Sequence, residues 1–245
     1  RRGKPCTHRI FGLDIAINAG NAMYYLPLLT LIKNRERVPA EKLSKVYEIY
    51  VREMINLSLG QAMDIAWHRG LANADEVDER RYLQMCAYKT GALARMAGKM
   101  AAVLAGAGDN TAERLGRFAE SIGVAFQIQD DILDLVGEEF AERKGGRGRD
   151  ITEGKRTLAV IHTLGKARPD DRGRLIGILS MHTTDQKLVD EAICLIKRYE
   201  SVEYARGVAR SLVEESWKEV DGLLPPSDAK DKLREFSRYL IERKI

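Results

Sequence analysis

Apolar residues recur every three or four positions along most of this chain, the period of helices with one buried face. From about Phe11 to Ile32 the pattern predicts a mostly apolar helix carrying Ile15, Ile17, Met23, Leu26 and Leu29, kinked at Pro27. Pro39 opens a second helix at its first turn, running to about His68 with Leu43, Val46, Tyr50, Met54 and Leu57 in step. The stretch from about Asp78 to Ala105 is rich in small residues, including Ala87, Gly91, Ala94 and Gly98, and reads as a helix that neighbours approach closely. A turn at Gly106–Asn110 follows, and Thr111 starts the next helix. After Val136 the character changes: Gly137 to Arg149 holds four glycines among charges and reads as a mobile surface loop. Asp150 with Glu153 marks a new helix start, with Gly154-Lys-Arg-Thr157 in its first turns, a ready anion site. Beyond Pro169 the chain reads as amphipathic packing helices without site chemistry. Thr183-x-x-Gln186 is a capping box there, and Ser227 caps a last helix from about Asp228 to Arg243.

Composition narrows the picture. Hydrophobic residues make up 44% of 245, enough for a substantial core, and six prolines with five phenylalanines argue against a β-rich fold. The net charge is +4 and the basic residues are scattered, so nucleic acid is not expected. Three cysteines without a Cys-x-x-Cys pair fit a reducing cytoplasmic setting rather than a disulfide framework. No apolar run approaches the roughly 20 residues of a membrane span. The sequence starts at Arg1 without a methionine, which reads as a trimmed start.

The candidate chemistry gathers in Gly123-Val-Ala-Phe-Gln-Ile-Gln-Asp-Asp-Ile-Leu-Asp134. On a helix, with Asp130 at zero, Asp134 falls at about 40°, Gln127 at about 60° and Asp131 at about 100°. The rest of the circumference is apolar apart from Gln129, as in a buried helix. Clustered carboxylates there would cost several kcal/mol each if left unpaired, which points to a polar cavity containing cations. An all-oxygen set without histidine or cysteine suits Mg²⁺, bound with waters and substrate phosphates. Gln61 and Asp64 share a face of the preceding long helix, and Lys89-Thr90 lies inside the small-residue helix.

Taken together, Arg1-Arg-Gly-Lys-Pro5, Gly60-Gln-x-x-Asp64, Lys89-Thr-Gly-Ala-Leu93, Phe126-Gln-x-x-Asp-Asp-x-x-Asp134 and Asp150-Ile-Thr-Glu-Gly-Lys-Arg-Thr157 resemble the trans-prenyl diphosphate synthases, most closely short-chain ones of the geranylgeranyl type. The resemblance implies an all-α fold, a single large antiparallel helical bundle around a central cavity spanning residues 1–245, usually as a homodimer. It implies head-to-tail condensation of an allylic prenyl diphosphate with isopentenyl diphosphate, giving a C20 product. Asp130 would be the main Mg²⁺ ligand, assisted by Asp131 and Asp134. Arg1, Lys89 and Lys155 would hold the allylic diphosphate, and Arg2 the isopentenyl diphosphate. Phe126 and Gln127 would line the site between the substrates, with Thr90, Asp64 and Gln61 completing the polar surroundings. Lys144, or Arg147 or Arg149 in its place, would supply the family's loop lysine. Tyr24 and Tyr25 fall where the family carries the aromatic floor of its product tunnel. A first aspartate-rich motif and an isopentenyl-binding basic segment lie upstream of Arg-Arg-Gly in family members and are not among these residues. Alternatives on the same fold are a farnesyl diphosphate synthase, a terpene cyclase, and a non-catalytic partner subunit.

Overall fold

The computed structural model describes residues 4–137 and 147–243. It is all-α, and there is no strand among the described residues. Of three N-terminal helices, α1 (Thr7–Phe11) and α2 (Leu13–Tyr25) part at Gly12, whose φ is 90°, and α2 and α3 (Leu28–Lys33) part at Pro27, which lacks an N–H. The long α4 (Ala40–His68) follows Pro39, and its buried residues Leu43, Val46, Tyr50, Glu53, Gly60 and Asp64 fall on one helical face. Helices α5 (Glu79–Cys86), α6 (Ala92–Ala105) and α7 (Asp109–Val136) come next. The chain ends with α8 (Arg149–Thr152), α9 (Leu158–Lys166), α10 (Pro169–Ser180), α11 (Gln186–Arg198), α12 (Ser201–Asp221) and α13 (Asp228–Glu242).

Helix α7 is the axis, packing against α5, α6, α8, α9, α12 and α13. Its Ile128, Ile132 and Leu135 are almost fully buried at helical spacing, and each such side chain contributes about 2 kcal/mol through apolar burial. The core they enter also holds Ile178, Leu179, Ile193, Ile196 and Val213 from the C-terminal helices. Helix α12 buries one apolar face, with Val202, Ala205, Ala209, Val213, Trp217 and Val220 out of solvent. A buried ion cluster ties α4, α6 and α7 together. Arg95 donates to both carboxylate oxygens of Glu53 and, on its other side, to Glu120. Burial pushes the Glu53 carboxyl up, but hydrogen bonds from Arg95 and Asn56 outweigh it and hold it below its ordinary range.

Four boundaries differ from the sequence expectation. The helix expected over Asp78–Ala105 is interrupted by a π turn, Ala87–Gly91, whose wider winding re-aims Lys89 and Thr90. Helix α7 begins at Asp109, two residues before Thr111. Helix α8 ends at Thr152, because Gly154 adopts a left-handed φ of 68° beside α10, so Lys155 and Arg156 stand in a link and not in a first helical turn. The start of α11 is capped by Asp185, whose carboxylate accepts from the Lys187 amide at 2.9 Å, while Thr183 accepts from Asp185. Ser227 caps α13 as expected.

The membrane expectation also needs correction. Leu13–Lys33 is a 21-residue helical stretch long and apolar enough to cross a membrane, with none of it buried in this chain. Pro27 and scattered polar residues divide the apolar run, which hides it in the sequence. The expected loop over Gly137–Arg149 falls mostly outside the described residues.

Candidate active site

A solvent-open cleft lies between α4, α5, the π turn, α7 and the Gly154–Thr157 link. Its existence depends on close backbone approaches. Helix α4 meets the π turn at Gly60, where a Cβ would stand 2.3 Å from the Lys89 amide nitrogen and 2.7 Å from the Tyr88 carbonyl carbon. Across the turn, a Cβ on Gly123 of α7 would lie 2.9 Å from the Gly91 Cα. Glycines thus bring the three elements into contact and hold Lys89-Thr90 between two helices.

The polar side chains in and around this cleft form three sets. Lys89 donates to Asp64 at 2.6 Å, joining the π turn to α4. Thr90 donates to the Gln127 carbonyl at 2.8 Å, Gln127 donates onward to Asp131 at 2.8 Å, and Tyr82 donates to the other Asp131 oxygen at 2.8 Å. Opposite, Lys155 pairs with Asp150 at 2.8 Å and with Glu153 at 2.7 Å. Burial lowers the Lys155 ammonium, but Asp150 and Glu153 more than compensate and hold it well above its usual range. Asp131 goes the other way: burial, then repulsion from Asp150, pushes its carboxyl up to about 8 against the pull of its hydrogen bonds and Lys155.

The three aspartates of α7 do not converge. The roughly 100° they span is wide enough for different neighbours to take the outer members. Asp131 faces the cleft. Asp134 is buried and accepts from the Asp150 amide at 3.0 Å. Asp130 is paired with Arg243, just past α13. Among the described residues no three histidine, cysteine or acidic side chains form a ready metal cage. That still fits Mg²⁺, which takes one or two carboxylates and completes its octahedron with waters and phosphates. The raised Asp131 carboxyl, short of positive charge and next to Asp150, is what a divalent cation would correct.

Of the other expected site residues, Lys89, Gln127, Lys155 and Asp64 line the cleft, and Thr90 reaches it through Gln127. Gln61 is exposed on α4 and away from the cleft lining, one turn before Asp64. Phe126 lies beneath the Arg243 guanidinium, 4.0 Å from its ring centroid. Tyr24 and Tyr25 are exposed on α2, and the Tyr24 carbonyl accepts from the Tyr50 hydroxyl. Arg147 donates to Asp190 at 2.6 Å, and Arg149 sits 3.6 Å from Glu153. Arg1, Arg2 and Lys144 lie outside the described residues. Sequence patterns alone do not single out Tyr82, Asp150 as the Lys155 partner, or Arg243. Tyr82 is within reach of such reasoning, lying seven residues, about two helical turns, before Lys89. Arg243 has no local signal, and its place corrects the view that the last third is packing alone.

These features define an all-α protein whose cleft sets an acidic helix against lysines carried by a π turn and a glycine-ended link. The chain belongs to the polyprenyl synthetase family, whose model matches residues 1–196. It is 35% identical over 243 residues to the short chain isoprenyl diphosphate synthase of Methanothermobacter thermautotrophicus, covering 99% of this chain and 71% of that one. The geranylgeranyl diphosphate synthase of Sulfolobus acidocaldarius is 31% identical, again over 99% of this chain and 71% of its own length. Among solved structures, geranylgeranyl pyrophosphate synthetase from Pyrococcus horikoshii superposes with a TM-score of 0.86 at 32% identity, covering 99% of this chain and 71% of that one.

Proposed function

We propose that this chain is a prenyltransferase that condenses isopentenyl diphosphate head-to-tail with an allylic prenyl diphosphate, releasing pyrophosphate and giving a C20 product. The observation that carries the reading is the cleft itself, where Lys89 and Lys155 face Asp131 across a polar network. Relatives named short chain isoprenyl and geranylgeranyl diphosphate synthases support the substrate class.

Each residue then has a physical task. Lys89 and Lys155 are held by carboxylates in the described state and would turn toward the more highly charged diphosphate when it enters. There they would neutralise the charge that grows on the departing pyrophosphate. Thr90 and Gln127 fix Asp131 by a continuous hydrogen-bond chain, so the acidic wall is preorganised. Asp130 would be the main Mg²⁺ ligand, with Asp131 assisting and Asp134 acting only through water or by holding the Asp150 amide, and the ion when bound supplies further neutralisation of the leaving group. Arg1 and Arg2 belong to the same proposal as diphosphate contacts, and Phe126 as the wall between the substrates. A homodimer is part of it too, supported by the uncovered apolar residues Val51, Ile55 and Leu59 along the outer face of α4.

Incubation with radiolabelled isopentenyl diphosphate and a C15 allylic acceptor tests the activity. Label should appear in a C20 alcohol after dephosphorylation. Asp130→Ala should lower turnover by about a hundredfold or more, the loss typical of a removed charge-stabilising group, with helical circular dichroism intact. Failure to incorporate label with any allylic acceptor would favour a cyclase or a non-catalytic subunit and end this reading.

A further inference from the structure

Arg243 lies beyond residues 1–196, which the family model covers, yet it touches two of the expected site residues at once. One guanidinium nitrogen donates to Asp130, and the guanidinium carbon stacks 4.0 Å over the Phe126 ring. The arginine is placed there by its own backbone, since its carbonyl accepts from the Gln129 side chain at 2.8 Å and its amide donates to the Tyr239 carbonyl at 3.0 Å. Its side chain is 14% exposed and that of Asp130 is 26% exposed, so the pair is largely withdrawn from water.

A second buried arginine shows what a purely structural ion pair looks like in this molecule. Arg95 engages Glu53 through two nitrogens and Glu120 through a third. Arg243 grips a single oxygen, and its Nε is buried with no hydrogen-bond partner. An arginine left with an unsatisfied donor is held less firmly than one whose fork is filled. The position it takes, against a carboxylate and an aromatic face, suits a cation in general and not a guanidinium in particular.

We propose that Arg243 is the resident counter-cation of Asp130. It neutralises that carboxylate while no metal is bound and competes with a divalent cation for it. Metal loading expels the guanidinium, uncovers Phe126 and loosens the end of α13. The inference rests on the metal role proposed above for Asp130.

Binding of Mn²⁺ alone to the full chain, followed by electron paramagnetic resonance, tests the competition without any turnover. Arg243→Met should bind Mn²⁺ about tenfold more tightly than the unaltered chain, the scale expected when one charge-assisted pair no longer competes, with Arg243→Lys in between. In the unaltered chain, amide exchange over 236–243 should speed up on saturation with Mn²⁺, a readout that does not depend on any variant folding. Equal affinities together with unchanged exchange would overturn the proposal, even if Arg243→Met were less stable, because that combination marks Arg243 as a structural clasp. Asp130→Asn separates the two levels. If it binds Mn²⁺ as well as the unaltered chain does, the metal assignment of Asp130 fails and the latch with it. If it binds weakly while Arg243→Met changes nothing, the latch alone fails.

Discussion

Helices α2 and α7 are both rich in apolar residues, yet they end in opposite environments. Helix α7 buries thirteen residues against neighbours on nearly every side. Helix α2 buries none, and neither do α1 or α3. Ile15, Ile17, Met23 and Leu26 remain half or more exposed on α2 and just beyond it, although they are the residue types that fill the core around α7. The difference lies in what surrounds each helix. Glycines at 91 and 123 let α7 approach its partners to backbone contact, whereas α2 is tied to the long α4 by the Tyr50–Tyr24 hydrogen bond. An apolar stripe therefore states that a helix needs cover, and only the pairing of surfaces states where the cover comes from.

Burial around α7 extends to its polar groups, and this gives the largest effect. Burial and repulsion from Asp150 raise the native Asp131 carboxyl to about 8, against the ordinary 3.8 of the unfolded chain. Between those values the native state binds more protons than the unfolded state, so stability falls as pH rises across the window. Asp131→Asn removes that slope, and in metal-free buffer its stability relative to the unaltered chain should grow from pH 4 to 8 by a few kcal/mol, with about 1.4 kcal/mol for each pH step of one as the upper scale. Urea unfolding of both proteins across this range measures it. A difference that stays constant with pH would mean that solvent or a neighbour already compensates the charge.

The next effect tests the close approach itself. Gly60→Ala gains up to about 1 kcal/mol of helix propensity but sets a methyl against the Lys89 and Tyr88 backbone, which cannot rotate away. Overpacking of this kind costs about 1–3 kcal/mol or more, so the net should be a loss of about 2 kcal/mol. The same shift should displace Lys89 and Thr90 and reduce turnover. Gly20→Ala on α2 meets nothing within 4 Å and should stabilise. A neutral Gly60→Ala would show that the junction has slack.

What is legible in the sequence follows the same division. Periodicity is enough to find α4, α7, α12 and α13, because each presents a long run with one buried face. Spacing within α7 correctly gathers Gln127 and Asp131, which are one helical turn apart. It does not foresee that the three aspartates part company, since that depends on Tyr82, the Asp150 amide and Arg243 arriving from other elements. The π turn is hidden because Ala87–Gly91 has no residue that forbids an ordinary helix, and the Gly60 backbone it packs against lies far away in the sequence. Lys155 is expected in a helix because the acidic residues before it look like a helix start, while the left-handed Gly154 that ends α8 is imposed by α10 beside it.

The smallest effect on stability concerns the exposed arm, and it decides a functional question. The resemblance places Tyr24 and Tyr25 at the floor of a product tunnel, but here they are 46% and 70% exposed and neither lines the cleft. Truncating exposed side chains changes stability by about 0.5 kcal/mol, far below the roughly 3–5 kcal/mol of a buried aromatic. The Tyr24 contact with Tyr50 uses a backbone carbonyl and survives the substitution. Tyr24→Ala/Tyr25→Ala should therefore fold with little change in its unfolding midpoint, so that its products can be interpreted. If the tyrosines stop chain growth, the double variant should extend beyond C20 by one or more five-carbon units, seen by chromatography of the dephosphorylated products. An unaltered C20 peak from the folded variant would remove both residues from the floor. A loss of several kcal/mol would instead show that the arm is covered in the working protein, and that α2 differs from α7 only in where its cover comes from.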